Sequence, residues 1–346
     1  MDHPDEFIVE AEVGEKADRE AHKALCVLVL VSRDASDDPA AAGQTETATY
    51  IAAMTETSYD AIAREVSRAN VAMLMGSVDT GKTTLALQAS RLAVGAGRTV
   101  ALVDADVGNS TVGPPACVGL KIMRVPEDIE RVGIPDKLHF VGTISPARLV
   151  LQQVVATAAM VDQARQLADL VIVDTTAVVS GVAGETLKYH KAELCRPDKV
   201  VALQRGGEME PVVGMLRRFL GLEVTVAPTD PNLIPLSPDE RARKRTDAFA
   251  VALAPPLERW KVRPTVFAPT LPMGLNLGRL DDVLVGVQDE GGGCLGLGIL
   301  SNEDDGLRVM TNTGEGMKGL RLGSMRLNPE TLESTVISLR EVMFGV

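Results

Sequence analysis

Five runs along the chain are apolar without alternation: VAMLM at 71–75, TVALV at 99–103, LHFVG at 138–142, LVIVD at 170–174 and KVVAL at 199–203. A strand that shows one face to water alternates polar and apolar residues, whereas a continuous apolar run of strand length predicts a strand covered on both faces. Between these runs lie segments with helical spacing, at 82–94, 146–168, 184–194 and 208–220, and a short helical pattern, SYDAIAREVSRAN, feeds the first strand. Buried strands alternating with helices predict an α/β fold built on a doubly wound, mostly parallel sheet. After about residue 262 the pattern changes to short strands broken by glycine, as in GGGCLGLGIL and LRLGSMRLNP. That change predicts a small β-rich C-terminal domain over 263–346, following a core domain over 58–262.

The first 57 residues break this order. They hold one apolar run, Leu25 to Val31, among acidic, Ala-rich and Asp-Pro stretches, and are expected to be a partly disordered leader or a small appendage. The chain's net charge of −12 is concentrated there: residues 1–70 carry 15 acidic and 6 basic side chains, against 32 and 29 in the remainder. The near-neutral body can therefore present a local basic site, although tight nonspecific binding to duplex nucleic acid is not expected. The N-terminus is acidic where a signal peptide would be basic and then apolar, and no run approaches the length of a membrane span, so a cytoplasmic protein with no membrane partner is expected. Cys26, Cys117, Cys195 and Cys294 have no paired spacing, which suggests neither a disulfide framework nor a zinc site.

At the end of the first buried strand, Gly76, Ser77, Val78, Asp79, Thr80, Gly81, Lys82 and Thr83 fit the spacing G-x-x-x-x-G-K-[ST], and Thr84 follows. The glycines let successive backbone N–H groups face phosphate oxygens, and the helix beyond presents its positive end. Lys82 is expected to reach the β- and γ-phosphates, and Thr83 to ligate Mg²⁺. No guanine-specificity motif is present, so ATP is the expected nucleotide.

Two further strand ends carry carboxylates. LVDADVGNS places Asp104 and Asp106 just beyond the second strand, at the edge where a doubly wound sheet has its ligand crevice. One could hold metal-bound water while the other accepts a proton from the attacking group, or both could cap a solvated turn. LVIVDTT ends its strand with Asp174, where P-loop proteins place a carboxylate that orients Mg²⁺, although a plain strand end followed by turn-forming hydroxyls fits as well. In PLSPDERARKRTDAFA, Ser237, Pro238 and Glu240 have the spacing of a helix start with a capping box, so a helix over about 237–253 puts Arg241 and Arg245 one turn apart. That helix is either a solvated basic face or a lid that neutralises charge on transferring phosphate.

Taken together, these motifs resemble the polynucleotide 5′-hydroxyl kinase family, which includes the RNA kinases of mRNA cleavage factor and tRNA processing and their archaeal and bacterial relatives. GSVDTGKTT resembles that family's phosphate loop with its internal Asp, here Asp79. VDADVGNS resembles its D-x-D-x-G-Q motif and HFVGTISP its F-x-G-x-x-[ST]-P segment. DTTAVVSGVAGETLKYHKAELCRPDKVVALQR is similar throughout to the archaeal-type continuation, and the lid helix and GLRLGSMRL also fit. The resemblance spans roughly 60–330. It implies ATP-dependent phosphorylation of the 5′-hydroxyl of an RNA or DNA strand, with Lys82 and Thr83 serving the phosphates and Mg²⁺, Asp106 as the base and Arg241 and Arg245 as lid cations; Asp104 and Asp174 complete the expected metal set. The family's clamp T-x-G-W reads Thr175-Thr176-Ala177-Val178 here, so a valine stands where a Trp would stack on a terminal base, a contact worth about 1–3 kcal/mol. Asn109 replaces the motif's Gln, and the β-sandwich that precedes the core in eukaryotic members has no counterpart in the acidic leader. Two other functions share the same motifs: an ATP-binding module without strand kinase activity, and a P-loop ATPase that orients water.

Overall fold

The structure, a computed structural model, describes residues 59–229 and 233–344. The leader and its apolar run Leu25 to Val31 lie outside the described residues. A helix whose described part is 59–68 (α1) leads into β1 (Val71–Gly76), α2 (Lys82–Gly95) and β2 (Val100–Ala105). Then come β3 (Cys117–Met123), α3 (Pro126–Glu130), β4 (Lys137–Phe140), α4 (Val150–Ala164), β5 (Leu170–Thr175), α5 (Gly181–Cys195), β6 (Lys199–Gln204), α6 (Glu210–Leu220) and β7 (Val224–Pro228). The C-terminal part contributes α7 (Pro238–Ala252), β8 (Glu258–Lys261), β9 (Val283–Gln288), β10 (Cys294–Glu303), β11 (Gly306–Thr311), β12 (Gly319–Leu327), β13 (Ser334–Val336) and α8 (Leu339–Phe344).

The parallel part of the sheet runs β2-β5-β1-β6-β7. Successive residues of β1 divide between its faces. Val71, Met73 and Met75 pack with Ala156, Met160, Ala192 and Leu216 from α4, α5 and α6. Ala72 and Leu74 pack with Val66, Leu85 and Ala89 from α1 and α2. Both faces are thus covered, which is why these strands read as unbroken apolar runs. From β1 the chain crosses to β2 on one side, and from β5 it crosses to β6 on the other. The loops diverge at the carboxyl ends of β1 and β5, and a crevice opens there.

Beyond β2 the sheet turns antiparallel, through β3 and β4 to β10, β9, β12 and β13, with β11 and β8 branching from β10. LHFVG therefore differs from its expected place among the parallel strands. It forms β4, half-exposed and antiparallel to β3, because the link from β3 through the one-turn α3 is too short for a crossover helix. The strand β3 itself, CVGLKIM, carries a lysine and a glycine that hid it in the sequence.

The helix α7 joins the two parts of the sheet to the crevice. Its start is held by the capping box, with Ser237 Oγ accepting from Glu240 N at 3.2 Å and Ser237 N donating to Glu240 Oε2 at 2.7 Å. Its far end is anchored by Phe249 and Leu253, buried against Phe140, Leu284, Leu297 and Met325. Among the described residues no helix is long and apolar enough to cross a membrane.

Candidate active site

The turn from β1 into α2 is shaped by Gly81, whose φ of 87° few side chains tolerate. A Cβ there would also stand 2.8 Å from both the Tyr59 hydroxyl and Leu233 Cδ1. Helix α2 begins with neither a side-chain cap nor an acidic residue in its first turn. Its leading N–H groups and the positive end of its dipole are thus left to an anion. Lys82 is buried and donates to the Ser77 carbonyl at 2.8 Å, its stem lying across the loop. Burial lowers the Lys82 amine below the usual lysine range, and the charges of Asp174, Asp106 and Asp79 oppose that shift.

In the first turn of α2, Thr83 Oγ1 donates to Asp174 Oδ2 at 2.5 Å. The other Asp174 oxygen is buried without a hydrogen-bond partner. Burial raises the Asp174 carboxyl, against the pull of Lys82 and of the Thr83 hydroxyl. Beside it in the ladder, Asp104 pairs in register with Asp174. Asp104 turns both oxygens toward the following loop: Oδ1 accepts from Asp106 N at 2.9 Å, and Oδ2 from Thr111 N at 2.5 Å and Val112 N at 2.9 Å. Burial, with the neighbouring Asp174 and Asp106 charges, pushes the Asp104 carboxyl up to about 7. Asp104, which the sequence assigns to the metal set, thus has both oxygens engaged in closing the loop. Gly119 on β3 makes room for that loop, since a Cβ there would meet the Val112 carbonyl oxygen at 2.1 Å. The closed loop presents Asp106, whose Oδ1 accepts from Gly108 N at 3.1 Å and Asn109 N at 3.2 Å.

A cavity of about 320 Å³ lies between these elements. Val78 through Thr84 form its floor, Asp106, Asn109, Thr111 and Ala177 one wall, and Leu233, Ile234 and Leu236 another; Arg241 and Lys244 of α7 close it. The Asn109 Oδ1 is buried with no partner. Arg241 forms an ion pair with Asp79 at the loop's tip. Of the two expected lid cations, only Arg241 lines the cavity. Arg245, one turn further along α7, does not line it, whereas Lys244 does. Val178 does not line the cavity either; its Cγ1 would be 3.1 Å from a Cβ at Gly184.

Sequence reasoning missed a brace beneath the phosphate loop. Arg205, just past β6, donates to the Val78 carbonyl at 2.9 Å and to that of Asp79. Glu208 accepts from the N–H groups of Arg205 and Gly206 and from the Ser77 hydroxyl, the last at 3.0 Å. Partial burial works to raise the Glu208 carboxyl, but these donors outweigh it and hold the group down at about 2. The available signal was positional: charged residues at the carboxyl end of the strand next to β1.

The model of the mRNA cleavage and polyadenylation factor CLP1 P-loop family matches residues 76–251. The polyribonucleotide 5′-hydroxyl-kinase of Thermococcus kodakarensis is 30% identical over 314 residues, covering 75% of this chain and 88% of that one. The Pyrococcus furiosus protein of the same name is 26% identical, covering 81% and 88%. For the Methanocaldococcus jannaschii one, identity is 36% over 141 residues, which span only 41% of this chain and 39% of the relative. Among solved structures, wild-type Clp1p in complex with Pcf11p matches with a TM-score of 0.54 at 12% identity, over 82% of this chain and 79% of that one, a likeness of fold. With a nucleotide-binding P-loop on a CLP1-like sheet, and relatives aligned along most of its length, this chain belongs to the CLP1 P-loop family.

Proposed function

We propose that this chain is a cytoplasmic, ATP-dependent polynucleotide 5′-hydroxyl kinase that phosphorylates RNA or DNA strand ends with the help of Mg²⁺. The observation that supports this reading most is the meeting of Lys82, Asp106 and Arg241 around one cavity of about 320 Å³. Asp106, lining the same cavity as the phosphate loop, is the carboxylate placed to take a proton from an attacking hydroxyl. The names of the relatives agree with a strand acceptor.

The residues present fit a divalent cation. Thr83 Oγ1 and Asp174 lie within hydrogen-bonding distance of each other, and Asp174 Oδ1 is an orphaned buried acceptor. Among the described residues, no cluster of three or more His, Cys, Asp or Glu side chains forms a metal cage, which suits an ion that takes most of its ligands from phosphate and water. Thr83 and Asp174 would hold Mg²⁺, which would neutralise charge on the β- and γ-phosphates. Asp104 is assigned to holding the loop, because its oxygens are engaged by backbone N–H groups.

Each remaining step belongs to a residue of this chain. The phosphate loop and the start of α2 hold the triphosphate, with Lys82 leaving the Ser77 carbonyl for the β- and γ-oxygens. Asp106 takes the proton of the 5′-hydroxyl as its oxygen attacks the γ-phosphorus. The bond from that phosphorus to the bridging oxygen breaks in line, and ADP departs. Arg241, released from Asp79, stabilises the charge on the transferring group.

The test is incubation with γ-labelled ATP, Mg²⁺ and 5′-hydroxyl oligonucleotides of both sugars. Label in the oligonucleotide supports the kinase. Label only in free phosphate points to an ATPase, and bound ATP with no turnover points to a binding module.

A further inference from the structure

Helix α5 carries two lysines, Lys188 and Lys191, that are both 0% exposed. Three residues apart, they share a helix face, and that face is turned into the protein against the carboxyl ends of the parallel strands. Taking an ammonium group out of water costs several kcal/mol unless it finds good partners, so their contacts carry information. Lys188 Nζ donates to Thr175 Oγ1 at 2.7 Å and to the Thr176 carbonyl. Thr175 Oγ1 in turn donates to the Leu74 carbonyl of β1 at 2.7 Å. Lys191 Nζ donates to the Ala105 carbonyl at 3.4 Å. Ala105 lies between Asp104 and Asp106, and it is the register partner of Thr175 in the β2–β5 ladder. One helix face therefore grips two neighbouring strand ends at the same level, one beside Asp106 and the other at the start of the Thr175–Val178 turn.

The electrostatics agree with this placement. Burial drives the Lys188 amine well below the usual lysine range, with the Lys191 and Lys82 charges pushing the same way. Burial lowers the Lys191 amine to about 8. In both cases the Asp106 and Asp174 charges act to keep the amine protonated. The lysines and the carboxylates of the site thus lie in one another's field.

We propose that Lys188 and Lys191 are positioning residues for phosphoryl transfer, fixing the Asp106 carboxylate and the Thr175–Val178 turn at one separation so that the base and the wall beside the strand end keep a constant geometry. The proposal rests on the kinase reading above. No proton or phosphoryl group passes through either amine. A merely structural buried lysine makes a different forecast, since replacing buried charge with an apolar side chain of similar length is often neutral or stabilising and leaves the chemistry untouched. A positioning role separates stability from turnover.

The experiment uses the full chain with Lys188→Met, Lys191→Met and Thr175→Val, and measures melting temperature, KM for ATP, KM for a 5′-hydroxyl oligonucleotide, and kcat. The expected result for each lysine variant is a melting temperature at or above that of the unmodified protein, an ATP KM within about twofold, and a kcat lower by roughly tenfold to a hundredfold, the usual consequence of misplacing a reacting group. Thr175→Val removes the hydroxyl that links Lys188 to the Leu74 carbonyl, leaving the Thr176 carbonyl as an acceptor; it should reproduce a good part of the Lys188→Met loss of kcat, and combining the two should add little more. Lysine variants that fold and turn over like the unmodified protein overturn the proposal. So does a loss of kcat that merely tracks a loss of folded protein. If the lysine variants do not fold, unimpaired kcat in Thr175→Val overturns it instead. When the unmodified protein phosphorylates strands and the variants match it, this inference alone fails; when the unmodified protein transfers no label, the kinase reading fails with it.

Discussion

Arg241, in the first turn of α7, reaches across the crevice to pair with Asp79 at the tip of the phosphate loop, each side chain retaining 21% exposure. The pair ties the start of the lid helix to the loop it would cover, while Phe249 fixes the same helix to the C-terminal strands. A partly exposed pair of this kind adds about 1 kcal/mol or less to stability. Its consequence is placement, since the guanidinium already stands beside the phosphates' seat.

Arg241→Ala should therefore lower kcat by about a hundredfold or more while changing the melting temperature little. Arg245→Ala, on a residue that does not line the cavity, should cost far less. Steady-state kinetics on the two variants decide it, and equal losses would contradict the assignment of Arg241 alone.

Lys82→Ala should reduce phosphoryl transfer by at least about a hundredfold and leave the fold intact, because the amine's one short contact is with the Ser77 carbonyl. Unimpaired transfer by a folded variant would remove Lys82 from the site.

The two carboxylates of LVDADVGNS should separate. Asp106→Asn should keep ATP binding and stability near normal and abolish transfer. Asp104→Asn places an amide donor against backbone N–H groups now bonded to carboxylate oxygens, and should cost about 1–3 kcal/mol of stability. Thermal melts and ATP titrations distinguish them. A stable Asp104→Asn protein that binds ATP but cannot transfer would reverse the roles.

Glu208 gives the brace beneath the phosphate loop a dependence on pH. Its carboxyl lies at about 2 in the folded protein against an ordinary 4.5. The folded state thus holds the anion more tightly than the unfolded chain does. That contribution is complete above the ordinary value and is lost as pH falls through about 2. The melting-temperature difference between the unmodified protein and Glu208→Gln should be largest above pH 5 and shrink steadily on acidification. A difference independent of pH would show that the bonds from Ser77, Arg205 and Gly206 do not set this group.

How much of this was legible in the sequence follows from where each signal lives. The parallel core was legible because burial on both faces leaves unbroken apolar runs, and the phosphate loop because its spacing is local. β3 was not, since Lys121 and Gly119 interrupt its pattern; Lys121 reaches its ion-pair partner Asp136 only in the fold. The side chains around the cavity divide in the same way. Asp106 and Arg241 stand in motifs, whereas the presence of Lys244 rather than Arg245 along the cavity depends on how α7 lies over the phosphate loop. Arg205 acts on Val78, Glu208 on Ser77 and Lys191 on Ala105, all distant in sequence, and no spacing rule could join them; Lys188 bonds only back to the end of β5, but its burial is set by the fold.

The central claim is that the phosphate held at Lys82 passes to a strand end at Asp106. It is tested most directly by following γ-labelled phosphate from ATP into a 5′-hydroxyl oligonucleotide, with the unmodified protein and Asp106→Asn side by side at saturating ATP. The account predicts label in the strand with the unmodified protein and none above background with the variant, at equal ATP affinity. Label found only as free phosphate with the unmodified protein, or equal transfer by the variant, would contradict it.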